Sequence, residues 1–190
     1  MAKFLNKNRM AASRFLIVAA IILVLFTRQI TESETLVHEI LDSVGYILIV
    51  FCGMGRLYST AYLGGQKNKR LITYGPFSIV RNPLYVFSWF GFTGIALFSN
   101  NLPVILLVPV GFLILYTTLV KREEGFLAEA FGPEYVEYCA RVPRFIPRFS
   151  NFNQPAEITL TAHTFLKGLL DNVWWFAAPL AFELLEMAFD

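Results

Sequence analysis

Two polar stretches of this 190-residue chain hold the side chains best suited to chemistry. The first, LGGQKNKRLITYGPFSIVRNPLY from Leu63 to Tyr85, contributes Arg81 and Tyr85. The second, VKREEGFLAEAFGPEYVEYCARVPRFIP from Val120 to Pro147, contributes Glu123 and Glu124. A carboxylate can hold an ammonium or a pair of ribose hydroxyls, and an aromatic face can sit beside a cation. An arginine can grip a carboxylate, and the Gly75-Pro76 turn exposes backbone groups able to read the edge of a base. Together these are the needs of methyl transfer from a sulfonium donor. That displacement depends on alignment and removal of water more than on an acid–base pair. Arg81, Tyr85 and Glu123 are the candidate catalytic residues.

Each of these residues also has a plainer reading. Asn82-Pro83 is a helix start, with Asn as N-cap and Pro at the first helical position. Arg81, just before an apolar helix, can snorkel to lipid phosphates or hold an anionic ligand group. Tyr85, one turn further on, fits an interfacial tyrosine belt. Glu123 and Glu124 sit where a helix dipole disfavours carboxylates, with Lys121 and Arg122 as neutralising neighbours on a solvated helix end. If the helix continues, Glu123 shares a face with Leu127 and Glu124 with Ala128.

The elements that must position these groups are apolar helices. Hydrophobic residues make up 56% and charged residues 16% of the chain, leaving too little polar surface for a soluble fold of this size. Mean hydropathy is +0.54. Five spans are expected, at about 20 apolar residues each: Ala11–Thr27, Leu36–Leu57, Pro83–Phe98, Leu102–Val120, and one between Phe165 and Met187. The first resembles a signal peptide in its basic start, but no small-residue cleavage site follows it, so it reads as a retained span. The last, interrupted by Lys167, Asp171, Glu183 and Glu186, can span the bilayer or lie at its interface, with Trp174-Trp175 as an anchor. Ser99-Asn100-Asn101 is a tight turn between the third and fourth spans. Phe131-Gly132-Pro133 breaks the chain before a short amphipathic helix, and Val142–Pro147 is expected to be a non-helical lid.

Charge sets the orientation. Lys3, Lys7, Arg9 and Arg14 precede the first span. Arg56, Lys67, Lys69, Arg70 and Arg81 lie between the second and third, and Lys121, Arg122, Arg141, Arg144 and Arg148 follow the fourth. These are fourteen of the 16 basic residues. By the positive-inside rule the N-terminus and both polar stretches are cytosolic. A net charge of +2 gives no footprint for nucleic acid. Cys52 and Cys139 form no CxxC pattern, and His38 and His163 lack ligand-like neighbours in sequence, so neither a disulfide framework nor a metal site is expected.

The set Leu71-Ile72-Thr73-x-Gly75-Pro76-Phe77, Arg81-Asn82-Pro83-x-Tyr85, Glu123-Glu124, Phe131-Gly132-x-Glu134-Tyr135-x-x-Tyr138 and Arg141-Val142-Pro143 resembles the isoprenylcysteine carboxyl methyltransferase and phospholipid methyltransferase superfamily. The resemblance covers about Gly53 to Pro147. It implies an all-α, polytopic transmembrane bundle of about five spans, with short cytosolic helices forming a cofactor pocket. Residues 1–190 would be one membrane domain, with its methyltransferase core at about 53–147 and an added C-terminal helix at about 162–189. The cofactor would be S-adenosyl-L-methionine, bound by Leu71, Ile72, Phe77, Asn82, Pro83, Leu84, Tyr85 and Glu123, with Glu124 in support. The acceptor would be a lipid or lipidated small molecule bearing a carboxylate, amine or thiol, and the location a bacterial inner membrane. Many members carry His where this chain has Asn82 and Tyr where it has Phe77; Asn can bind a donor but carries no proton. The prenylcysteine enzymes' substrate-carboxylate arginine falls at Leu119, so Lys121 or Arg122 would have to supply that charge. A non-catalytic lipid-binding or assembly protein that keeps the pocket is the alternative.

Overall fold

The computed structural model describes residues 14–15, 18–19, 22–23, 30, 35–64 and 70–189. The expected first span lies mostly outside them, as do Lys67 and Lys69; the described residues between 14 and 23 are helical. Six α-helices follow: α1 Leu36–Leu63, α2 Pro76–Ile79, α3 Pro83–Phe98, α4 Leu102–Phe131, α5 Pro133–Arg141 and α6 Ala162–Phe189. One 3-10 turn sits at Phe149–Asn151. No strand occurs among the described residues.

Two of these helices, α1 and α4, are long and apolar enough to cross a membrane, and α3 is a shorter apolar helix. Only 28% and 33% of the most apolar windows of α1 and α4 are buried. A soluble core helix would hide most of such a window. Instead α1 exposes Leu36, Val37, Ile40, Val44, Ile47, Phe51, Met54 and Tyr58. These recur every three or four residues, so the apolar stripe faces outward. On α4 the same is true of Leu102, Leu106, Val110, Leu113 and Ile114. A stripe this long left uncovered is the signature of a lipid-facing surface.

α3 coincides with the expected Pro83–Phe98. α1 and α4 run further than expected, to Leu63 and Phe131, because polarity does not end a helix; each stops where a glycine turns into the left-handed region. Gly64 and Gly132 both take positive φ, at 45° and 56°.

The chain divides into two compact units. The first comprises 1–52, 89–119 and 174–190. In it α1 and α3 approach closely at small residues: a Cβ added to Gly94 would lie 2.7 Å from the Gly45 carbonyl oxygen. Trp89 Nε1 donates to the Pro109 carbonyl at 3.1 Å. The expected turn at Ser99–Asn101 is present, with Asn100 at φ 42°. Here the structure corrects one reading. His38 does have a polar neighbourhood, with Asp42 Oδ2 at 3.3 Å from Nε2 and Asn100 Nδ2 at 2.7 Å from Nδ1.

The second unit comprises 53–88 and 120–173. Its helices lock through polar contacts on apolar packing. Arg56 Nη1 donates to Ser88 Oγ at 2.5 Å, Asn172 Nδ2 to the Gly53 carbonyl at 3.1 Å, and Thr161 Oγ1 to the Gly64 carbonyl at 2.8 Å. α5 buries Tyr135 and Tyr138 with Val142 against Leu71, Leu127, Ala128 and Phe131.

Candidate functional site

Within the second unit a cavity open to solvent lies among α1, α3, α4, α5 and the 70–82 loop. Leu71, Ile72, Phe77, Arg81, Asn82, Pro83, Leu84, Tyr85 and Glu123 all line it. The structure thus gathers nine of the residues singled out in the sequence around one space.

Local folding explains how. Gly75, at φ 60°, turns the chain into Pro76, and its N–H donates to the Asn153 carbonyl at 2.7 Å. Ser78 Oγ donates to the Gly75 carbonyl at 2.7 Å and accepts from the Asn153 N–H at 3.0 Å. Arg81 N–H donates to the Pro143 carbonyl and Arg148 N–H to the Ile79 carbonyl, at 2.8 and 2.9 Å. The non-helical run after α5 therefore straps the loop that carries Arg81 and Asn82.

On the cavity wall Tyr85 donates its hydroxyl hydrogen to Glu123 Oε2 at 2.8 Å. Glu123 lines the cavity together with Leu127, one turn on. Glu124, next along α4, faces elsewhere. It is 8% exposed and is held by charge. Arg144 reaches its Oε2 from Nε at 3.0 Å and from Nη2 at 2.7 Å. Arg81 Nη1 lies 3.3 Å from Oε1, and Asn82 Nδ2 donates to the same oxygen at 3.3 Å. The hydrogen bond to Glu124 raises the Arg144 pKa further, so that guanidinium stays charged.

Asn82 does begin α3, its carbonyl accepting from the Tyr85 and Val86 N–H groups at 3.1 and 3.2 Å. Its side chain, however, turns to Glu124. Arg81 does not reach out to solvent: its side chain is 14% exposed, paired with Glu124, and its Nη1 lies 2.8 Å from Cys139 Sγ. Its Nε is buried with no hydrogen-bond partner among the described residues. Lys121 and Arg122 are exposed and do not line the cavity, and Glu124 does not either. Leu119 is buried in the other unit.

Sequence reasoning assigned no site role to Arg70, Leu63, Leu127, Phe131, Tyr135 or Tyr138, all of which line the cavity. Leu127 and Phe131 repeat the Glu123 face at intervals of four, a signal that was present. Tyr135 and Tyr138 sit three apart on a helix, and Tyr138 donates to the Phe77 carbonyl at 2.7 Å. Both phenols are raised well above their ordinary range: burial leads in each case, and Glu124 adds to it. They remain neutral hydroxyls. Arg70 carried only a topological charge in the sequence.

One further feature concerns backbone. Leu71, Ile72 and Thr73 lie outside any helix or strand, and Ile72 is 5% exposed. Among the described residues their N–H and C=O groups make no hydrogen bond. Leu71 and Ile72 line the cavity, so their backbone donors and acceptors stand at its edge. No group of three or more His, Cys, Asp or Glu that could hold a metal is gathered among the described residues.

Comparison with known proteins places the chain in a family. A profile of the phospholipid methyltransferase family matches residues 40–134. A cobalt-zinc-cadmium resistance protein, CzcN of Cupriavidus metallidurans, is 30% identical over 98% of this chain and 86% of its own. A nickel-cobalt-cadmium resistance protein, NccN of Alcaligenes xylosoxydans xylosoxydans, is 28% identical over 97% of this chain and 86% of its own. A protein-S-isoprenylcysteine O-methyltransferase B of Arabidopsis thaliana is 31% identical over 43% of this chain and 42% of its own. No solved structure gives a significant match.

Proposed function

The chain belongs to the phospholipid methyltransferase family, and from that premise we propose that it is a membrane enzyme transferring a methyl group from S-adenosyl-L-methionine to a lipophilic acceptor. The observation that carries this reading is the convergence of the Gly75–Tyr85 segment and Glu123 on a single cavity, with Tyr85 bonded to Glu123 at 2.8 Å.

The residues fit the donor. Glu123 offers its carboxylate to an ammonium or to ribose hydroxyls, and Tyr85 fixes which oxygen points where. The unpaired Leu71–Thr73 backbone offers donors and acceptors to the edge of an adenine. Phe77, Tyr135 and Tyr138 offer ring faces to a sulfonium. When bound, the cofactor supplies an activated methyl group on positively charged sulfur. The protein's part is then alignment and exclusion of water. The strap from Val142 to Asn153, tied to the loop by backbone bonds, suits both tasks. Glu124, Arg81, Arg144 and Asn82 hold the loop against α4 and so position the others. Charge distribution supports a cytosolic N-terminus and cytosolic placement of the cavity-bearing segments.

The acceptor is a lipid or lipidated molecule carrying a carboxylate, amine or thiol, entering from the bilayer. The two relatives that match nearly the whole chain are named for resistance to metal cations, and by that likeness the methylation serves metal tolerance. The test is incubation of the purified protein with methyl-labelled S-adenosylmethionine and a total membrane extract. Label should enter lipid or lipoprotein with wild type and not with Glu123→Ala. A wild type that transfers nothing and binds no donor would remove the reading. A deletion host should regain tolerance to cobalt, zinc and cadmium with wild type and not with Glu123→Ala.

A further inference from the structure

The donor's amino-acid tail is a zwitterion, and Glu123 can satisfy only one end of it. A carboxylate brought into an enclosed space without a cation keeps its full desolvation cost and is repelled by Glu123 besides. The cavity must therefore present a positive group. Arg81 lines it, but its guanidinium is engaged with Glu124 and Cys139. Arg144 is committed twice over to Glu124, while Lys121 and Arg122 lie outside the lining. Arg70 differs from all of these. It lines the cavity, is exposed, and among the described residues makes no hydrogen bond or ion pair. It also directly precedes the unpaired Leu71–Thr73 strip, so a molecule lying along that strip ends beside it.

We propose that Arg70 is a donor-specificity residue that anchors the carboxylate of the donor's amino-acid tail while Glu123 holds its ammonium. The inference rests on the donor reading above and adds to it the residue that distinguishes the whole nucleotide from one lacking the tail. A planar guanidinium without an internal partner can grip a carboxylate through two parallel N–H bonds, which a lysine cannot do.

Titration calorimetry on the full-length protein in nanodiscs tests this with two ligands: S-adenosylhomocysteine, which has the tail, and methylthioadenosine, which lacks it. Arg70→Gln should weaken S-adenosylhomocysteine by about tenfold or more and leave methylthioadenosine within about twofold. Arg70→Lys should fall between wild type and Arg70→Gln for the first ligand alone. Equal affinity of wild type and Arg70→Gln for S-adenosylhomocysteine overturns the assignment, as does an equal loss for both ligands, which would mean a general distortion of the site. If wild type binds neither compound, the donor reading itself fails and Arg70 falls with it; binding by wild type with no effect of Arg70→Gln removes Arg70 alone. Thermal melting of each variant shows that the comparison is made on folded protein.

Discussion

Glu123 and Glu124 are neighbours in sequence and opposites in use. About 100° apart on a helix, one faces a cavity and the other a cluster of two guanidiniums and an amide. Glu123→Gln is expected to keep the fold and lower donor affinity by roughly a hundredfold, about 2–3 kcal/mol for a lost charge-assisted pair. Tyr85→Phe, which removes only the hydroxyl that orients Glu123, should cost about three- to tenfold. Both are read from donor-binding isotherms. Glu124→Ala should act on stability instead. It strands Arg81, which is 14% exposed, and Arg144, which is 34% exposed; about 3 kcal/mol is expected, the less buried Arg144 keeping the loss from being larger. A marked fall in melting temperature checks this. The different roles of the two carboxylates were partly legible, because helical spacing pairs Glu123 with Leu127. The partners of Glu124 were not: Arg144 is twenty residues away across two chain breaks, and nothing local announces that contact. Asn82 was legible as a cap; its side-chain bond to Glu124 depends on tertiary approach.

At the scale of elements, α2 and α5 begin with the same device. Gly75 and Gly132 have φ, ψ of 60°, −136° and 56°, −132°, each followed by Pro at the first helical position and without a side-chain cap. An L side chain in this region costs about 1–3 kcal/mol. The surroundings then separate the two. A Cβ on Gly132 meets open space, whereas one on Gly75 collides with the Tyr62 ring. Gly132→Ala should therefore show the strain alone, and Gly75→Ala a clearly larger loss of melting temperature together with loss of donor binding. Sequence marked both breaks correctly, since Gly-Pro is punctuation; it could not show that one is crowded. Helix α5 adds a pH dependence. Its two tyrosines are held neutral above their ordinary pKa. The unfolded chain releases those protons near pH 10 while the folded one keeps them. Stability is therefore full below about pH 10 and falls as pH climbs beyond it. Melting curves between pH 8 and 11 should show this fall, and the Tyr135→Phe/Tyr138→Phe pair should flatten it, at the cost of the Tyr138 bond to Phe77.

For the whole molecule, the sequence made the helical, membrane-facing character plain. The apolar residues of α1 and α4 leave an outward stripe, as lipid-facing helices do. It placed α3 to the residue, because Asn82-Pro83 and Ser99–Asn101 bracket it with strong stop signals. It could not divide the helices between two compact units, since each long helix contributes to both and no composition change marks the boundary. The charge distribution predicts sidedness. In a variant lacking native cysteines, Glu137→Cys on exposed α5 should react with an impermeant maleimide only after the cytosolic face is opened, and Glu39→Cys should react from outside in intact cells. The reverse pattern would invert the topology.

The central claim is that the methyl donor sits between the Arg70–Tyr85 segment and the α4–α5 segment around Glu123. Ultraviolet cross-linking of methyl-labelled S-adenosylmethionine to the purified protein, followed by peptide mapping, tests it most directly. Label should fall on peptides covering residues 70–85 and 123–138, with excess S-adenosylhomocysteine suppressing it and Glu123→Ala abolishing it. Specific label confined to peptides of the first unit, or labelling indifferent to both S-adenosylhomocysteine and Glu123, would contradict the account.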